Sequence, residues 1–148
     1  MWGLILLFIT LFSPSIQAQD YTLMIDVLED RVDIRQEVLQ DAPYTLAERD
    51  VTIEIEMEGL EGRTWSLQIV ALEDLHGPES ISASEISWQA LTPPFIDGVL
   101  VKGVPQLLAQ GQGDDHIIGR IRFRFRSEGT VYEAGLYDLR MRLILSAT

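Results

Sequence analysis

The sequence contains no cysteine, only two histidines, and 11 basic residues against 23 acidic ones. Without cysteine the fold has no disulfide, thiol nucleophile or thiolate metal site, so its stability must come from packing and strand pairing. The formal net charge of −12 argues against nucleic acid and anionic membrane surfaces as partners, because both are polyanionic. The imbalance is uneven: residues 19–119 hold 20 acids and 5 bases, whereas residues 120–148 hold 3 acids and 6 arginines.

The N-terminal 18 residues carry no charge and include an apolar block, Leu4 to Phe12, that a single threonine interrupts. The block has the length of a signal-peptide core and is shorter than the ~20 residues of a membrane span. Ser13-Pro14-Ser15 follows it, and Ala18 supplies a small residue. The sequence therefore predicts a signal peptide over 1–18, cleaved before Gln19, and export to the periplasm, the cell surface or the medium. The alternative is an uncleaved membrane anchor; a lipoprotein anchor is excluded because no cysteine occupies the cleavage site.

Residues 19–148 are predicted to form one domain whose apolar residues recur with period two, the pattern of a strand with one buried face. In 51–58, Val51, Ile53, Ile55 and Met57 alternate with polar residues. Similar patterns cover 21–27, 65–71, 86–88, 117–125 and 137–145, and segments 95–101 and 104–110 are predicted to form a further ribbon. Helical periodicity is scarce. The sequence thus predicts an all-β, antiparallel, two-sheet immunoglobulin-like sandwich.

Charge on the outward faces predicts which strands are neighbours. Glu54, Glu56 and Glu58 form one outward row, and a second, arginine row would stabilise it across a strand pair. That row, named here the arginine face, consists of Arg120, Arg122, Arg124 and Arg126. Strands 51–58 and 119–126 are therefore predicted to be adjacent. The last strand, which also carries outward arginines, is placed in the other sheet.

Glu133-Ala134-Gly135-Leu136-Tyr137 has the form of the turn into the sixth strand of an immunoglobulin-like sandwich, which ends in a tyrosine corner, and Trp65 lies where such folds bury a tryptophan. The turn and the alternating strand after it resemble the C-terminal region of chaperone-usher pilins. That resemblance implies a sandwich that lacks its last strand and is completed by a strand from another chain, either a further copy or a chaperone. The candidate partner-facing strand comprises Tyr137, Leu139, Met141, Leu143 and Leu145.

Candidate chemistry is sparse, so neither an enzyme nor a cofactor is predicted. His76 and His116 lack the cysteines and nearby ligands of a zinc or copper site. The loop Gly113 to His116 clusters oxygen ligands and is a candidate calcium site, but it lacks the spacing of an EF-hand, which favours a solvated turn.

The leading hypothesis is an exported structural or assembly subunit, pilin-like or a surface protein, that a strand from a partner completes. The alternative function is a self-contained binding module, in which the arginine face or the loops at one end of the sandwich contact a glycan or a protein. Trp88, with Pro93, Pro94 and Phe95, is either an exposed aromatic platform or part of the core.

Overall fold

The computed structural model describes residues 3–8, 16–18, 21–29, 31–36, 44–126 and 132–148. Within these ranges the chain is all-β, with one short 3₁₀ turn at Ala83–Glu85. The described part has no helix that is long and apolar enough to cross a membrane. The strands are β1 (Gly3–Phe8), β2 (Ile16–Ala18), β3 (Tyr21–Val27), β4 (Arg31–Gln36), β5 (Tyr44–Leu46), β6 (Val51–Glu58), β7 (Thr64–Ala71), β8 (Ile86–Ala90), β9 (Gly98–Val99), β10 (Gln106–Gln112), β11 (Asp115–Arg126) and β12 (Met141–Ala147).

The first sheet has the order β2-β3-β6-β11-β8-β9, and every pairing in it is antiparallel. β5 also pairs with β11, beyond the end of the β6 ladder. β4 continues β3 after a bend, where the Glu29 carboxylate accepts the Thr52 N–H at 2.6 Å. An isolated bridge from Ile34 to Ala47 then keeps β4 beside the β5 segment. β3 and β4 therefore behave as one bent strand.

The second sheet has the order β10-β7-β12, and it packs against the first to form a sandwich. The chain crosses between the sheets at the turn from β6 to β7. When β3–β4 is taken as the first strand, β5–β6 as the second, β7 as the third and β8 as the fourth, and β9 and β10 are treated as additions after the fourth, β11 is the fifth strand and β12 the sixth. The second and fifth strands are then neighbours in one sheet, and the third and sixth in the other, which confirms the predicted immunoglobulin-like order.

Period-two alternation identified the buried faces correctly. Val51, Ile53, Ile55 and Met57 are all at most 2% exposed. The large aromatic side chains Trp88, Phe123 and Phe125 are fully buried in the same core. Phe95 is also buried, so the interpretation of Trp88 and its neighbours as an exposed platform is wrong. Burying these apolar rings removes their surface from water and stabilises the fold.

Segments 95–101 and 104–110, which were predicted to form a ribbon, share an antiparallel bridge between Val101 and Val104 and a hydrogen bond from the Ile96 N–H to the Leu108 carbonyl at 2.9 Å, but the strands within them pair elsewhere. β9 pairs with β8 in the first sheet, whereas β10 pairs with β7 in the second.

A glycine lets each strand approach a tryptophan ring closely. A Cβ at Gly98 would lie 2.2 Å from the Trp88 ring, and one at Gly111 would lie 2.5 Å from the Trp65 ring, so neither position has room for a side chain. The two strands thus pack on different tryptophan rings, Trp88 of β8 and Trp65 of β7, and pair in different sheets.

Two predictions involve residues outside the described ranges. One is Gln19, which would follow the predicted cleavage site, and the other is Asp41-Ala42-Pro43, whose composition predicts a loop. The described parts of the predicted signal segment form β1 and β2. β1 pairs with β4, and β2 pairs with β3. The two ladders continue one antiparallel alignment of the N-terminal segment with the bent strand β3–β4. The segment therefore pairs along the outer edge of the bent first strand.

Candidate interaction surfaces

A tyrosine corner leads the chain into β12. The Tyr137 hydroxyl donates to the backbone carbonyl of Glu133 at 2.7 Å, as such a corner requires, so this prediction is confirmed. The side chain is fully buried. Burial, together with the negative charges of Glu79 and Glu133, raises the pKa of Tyr137. The hydroxyl consequently remains protonated and keeps its role as a donor.

The candidate partner-facing strand turns its apolar side chains into the core. Tyr137, Leu139, Met141, Leu143 and Leu145 are between 0% and 4% exposed. Such residues cannot offer their side chains to a partner without opening the sandwich. What β12 can offer to another chain is its backbone edge.

β12 is an outer strand of the second sheet. Residues 141–147 pair with β7 over the whole strand, and among the described residues β12 forms a ladder with no other strand. Its outward side chains include Arg142, Ile144 and Ser146, of which only Arg142 is exposed. An outer strand of this length carries a row of N–H and C=O groups that another strand can pair with.

The bent first strand lies on the same side of the sandwich as β12. β3 contacts β12, the outer strand of the second sheet. The other edge of β3 and β4 carries β1 and β2. In the described ranges both edges of β3 are therefore paired, whereas β12 has one edge without a neighbouring strand.

The arginine face lies on β11, next to β6 as predicted, but its partners are different. Arg120 is opposite Thr52, while Glu54 is opposite Ile118 and Glu56 is opposite His116. The glutamates of β6 are thus opposite the residues of β11 that precede the arginines. The prediction that the two charged rows face each other is wrong, because alternation defines the face of a residue and leaves the register open.

Asp50, which sequence reasoning missed, is the carboxylate that the arginines use. Arg122 Nε donates to Asp50 Oδ1 at 2.6 Å, and Arg120 Nη1 lies 3.6 Å from Asp50 Oδ2. The bond to Asp50 raises the pKa of Arg122 above its usual value. Arg124 donates from Nε to the Ser87 hydroxyl at 2.9 Å. Three of the four arginines are therefore engaged within the chain.

Arg124 has a second contact and Arg126 lies at the exposed end of the face. The Arg124 guanidinium lies 4.6 Å from the centroid of the Tyr44 ring, a cation–π arrangement. Arg126 is exposed, and its backbone is opposite Tyr44 in the β5 ladder. The face is thus a set of contacts between strands, with exposed cations at its two ends.

The loop Gly113 to His116, considered as a candidate calcium site, uses its carboxylates in hydrogen bonds to backbone N–H groups. Asp114 Oδ1 accepts the Leu60 N–H at 2.6 Å, and Asp115 Oδ1 accepts the His116 N–H at 2.9 Å. His116 Nε2 contacts Glu54 Oε1 at 2.5 Å. This hydrogen bond, with the nearby negative charges of Glu56 and Asp115, raises the pKa of His116 despite an opposing effect of desolvation. In the described ranges, histidine and carboxylate side chains form no group of three that could hold a metal ion.

Comparisons with known proteins yield neither a matching family model nor a matching curated protein. The class of the protein therefore rests on its architecture: an antiparallel two-sheet sandwich with immunoglobulin-like strand order and a tyrosine corner.

Proposed function

We propose that the protein is a non-catalytic subunit of an exported assembly, and that a strand from another chain completes its sandwich. The observation that carries the proposal is the outer edge of β12, where the described residues place no neighbouring strand. Backbone hydrogen bonds to such an edge supply affinity, and the alternate side chains of the incoming strand supply specificity.

The pairing of the N-terminal segment supports the same proposal. β1 and β2 cover the edge of the bent first strand, and they belong to residues that the sequence assigns to a signal peptide. Cleavage before Gln19 would remove both strands and expose that edge. β3 and β12, which contact each other, would then both be outer strands on one side of the sandwich. An incoming strand placed there would find two edges and the rim of the core.

A charge on the β12 edge tests this proposal. Ile144 faces outward on β12, and Ile144→Lys should weaken association, because charged residues on an edge strand disfavour pairing with another chain. The matched control is Ile118→Lys, which places the same substitution on the outer face of β11, a strand with neighbours on both sides.

The measurement is light scattering during size-exclusion chromatography of the exported protein, after its N-terminus has been determined by mass spectrometry. We expect the exported protein to associate, Ile144→Lys to associate less, and Ile118→Lys to behave as the unsubstituted protein. A stable monomer at all accessible concentrations, or equal effects of the two substitutions, would contradict strand addition at β12.

A further inference from the structure

The outer face of the second sheet carries an open cavity of about 620 Å³ near the ends of β7, β10 and β12. Its position is on the opposite sheet from the arginine face. The polar side chains that line it are all uncharged: Thr64, Ser66, Gln110, Gln112, Ser146 and Thr148.

Strand register assembles this lining from three distant parts of the sequence. Gln112 is opposite Thr64, and Gln110 is opposite Ser66, in the β10–β7 ladder. On the other side of β7, Ser146 is opposite Ser66, and Thr148 exchanges two backbone hydrogen bonds with Thr64. Two three-residue rows of hydroxyl and amide groups therefore run side by side across the sheet.

The hydroxyl groups of the cavity retain hydrogen-bonding capacity. The Thr64 and Thr148 hydroxyls lie 2.9 Å apart, and those of Ser66 and Ser146 lie 3.2 Å apart. Each pair uses one of its two hydrogens, so one O–H donor and several lone pairs remain. The exposed amides of Gln110 and Gln112 add donors and acceptors of their own.

Trp65 borders the cavity from the core side of β7. It is 2% exposed, and its Nε1 is the one buried side-chain polar atom without a hydrogen-bond partner in the described part of the chain. Gly111 lies against it, and a Cβ at that position would be 2.9 Å from Nε1. Buried donors are normally satisfied in native proteins, so this indole N–H is an unmet donor in the core beside the cavity, and its resonance reports on the packing of the strands that line the cavity.

We propose that this cavity binds a neutral saccharide. Its volume lies within the range of small-molecule sites. A carbohydrate presents hydroxyl groups that both donate and accept, as the threonine, serine and glutamine side chains do. A charged ligand would meet no opposite charge among the lining residues. The site lies on the outer face of the second sheet, so it does not depend on strand addition at the β12 edge.

Nuclear magnetic resonance titration of the ¹⁵N-labelled protein tests the proposal. The probes are maltotriose, cellotriose and N,N′-diacetylchitobiose at millimolar concentration. We expect at least one probe to shift the Trp65 indole resonance and the side-chain amide resonances of Gln110 and Gln112 in a saturable manner. The Trp88 indole is the internal control: its Nε1 donates to the Ile96 carbonyl at 2.7 Å, and its resonance should not move.

Paired substitutions give the second measurement. The double variant Gln110→Ala, Gln112→Ala removes two exposed amides, and we expect it to weaken binding of the active probe about tenfold. Gln89→Ala removes an equally exposed amide from the outer face of β8 in the first sheet, and binding should be unchanged. The proposal is overturned if no probe shifts the cavity resonances, or if the double variant binds the active probe as tightly as the unsubstituted protein.

Discussion

Tyr137 ties the turn before β12 to its own backbone four residues upstream. The hydroxyl is buried and donates to the Glu133 carbonyl at 2.7 Å. Tyr137→Phe keeps the ring in the core and removes this bond, so we expect the free energy of unfolding to fall by about 1 kcal/mol. Urea denaturation provides the measurement, with Tyr44→Phe at an exposed position as the control. Equal stability of Tyr137→Phe and the unsubstituted protein would show that the corner does not stabilise the fold.

His116 should make the stability of the protein depend on pH. The hydrogen bond to Glu54 is the largest cause that raises the pKa of His116 above 6.5 in the folded state. A raised folded pKa means that the stabilisation is fully present below pH 6.5 and is lost as the pH rises through the folded pKa. We therefore expect His116→Gln to lower the urea midpoint more below pH 6.5 than at alkaline pH.

A substitution of Glu54, the partner of His116, is the control for this prediction. Glu54→Gln removes the carboxylate but retains a side chain of the same shape, and the His116 pKa measured by nuclear magnetic resonance should fall in this variant. A pKa of His116 that does not respond to Glu54→Gln would contradict the assignment of the shift to this contact.

At the scale of the strand, the register of β6 and β11 is open to a direct test. Arg122 is paired with Asp50, and Glu56 lies farther along the ladder, opposite His116. We expect a double-mutant cycle of Arg122→Ala and Asp50→Ala to give a coupling energy of about 0.5–1 kcal/mol. The cycle of Arg122→Ala with Glu56→Ala should give no measurable coupling. Coupling to Glu56 in place of Asp50 would indicate the register that the charged rows had suggested.

Strand faces were predictable from the sequence, whereas strand partners were predictable only in part. The adjacency of β6 and β11, and the location of β12 in the other sheet, follow from alternation and the arrangement of charges. The register does not, because a shift by two residues leaves every side chain on the same face. In the structure, the turn at Gly113, whose φ is +74°, and the bond from Leu60 to Asp114 accompany the observed alignment.

The candidate surfaces differ in how far the sequence could reveal them. The inward residues of β12 and the arginine face are regular patterns within one strand, so they can be read directly. The uncharged cavity combines Thr64, Gln110 and Ser146 with their neighbours from three strands, and no local motif connects them. Asp50 was missed for a similar reason, since it precedes β6 and lies outside its alternating pattern.

For the whole molecule, we expect a strand supplied in the same chain to stabilise the sandwich. A two-residue Asn-Gly turn after Thr148, followed by an alternating strand of about six residues, would form a hairpin with β12. Such a strand would pair with the outer edge of β12 and cover the adjacent rim of the core. We expect the melting temperature to rise by about 5 °C, which corresponds to roughly 1–2 kcal/mol for a domain of this size, and association to decrease.

The control for this extended chain carries the same turn followed by glycine and serine residues, which cannot cover the core. Circular dichroism melting and light scattering compare the two forms. An extension that alters neither the melting temperature nor the association state, relative to the glycine-serine control, would show that the β12 edge does not accept a strand.

Alternation and turn chemistry are local properties of the chain, so the sequence was enough to predict an all-β sandwich, the buried face of its main strands and a corner at Tyr137. Tertiary structure alone decided that β9 and β10 belong to different sheets, that Asp50 pairs with the arginines, and that an uncharged cavity forms beside β12. These features depend on register and on close packing against Trp65 and Trp88, which arise only when segments distant in sequence come into contact.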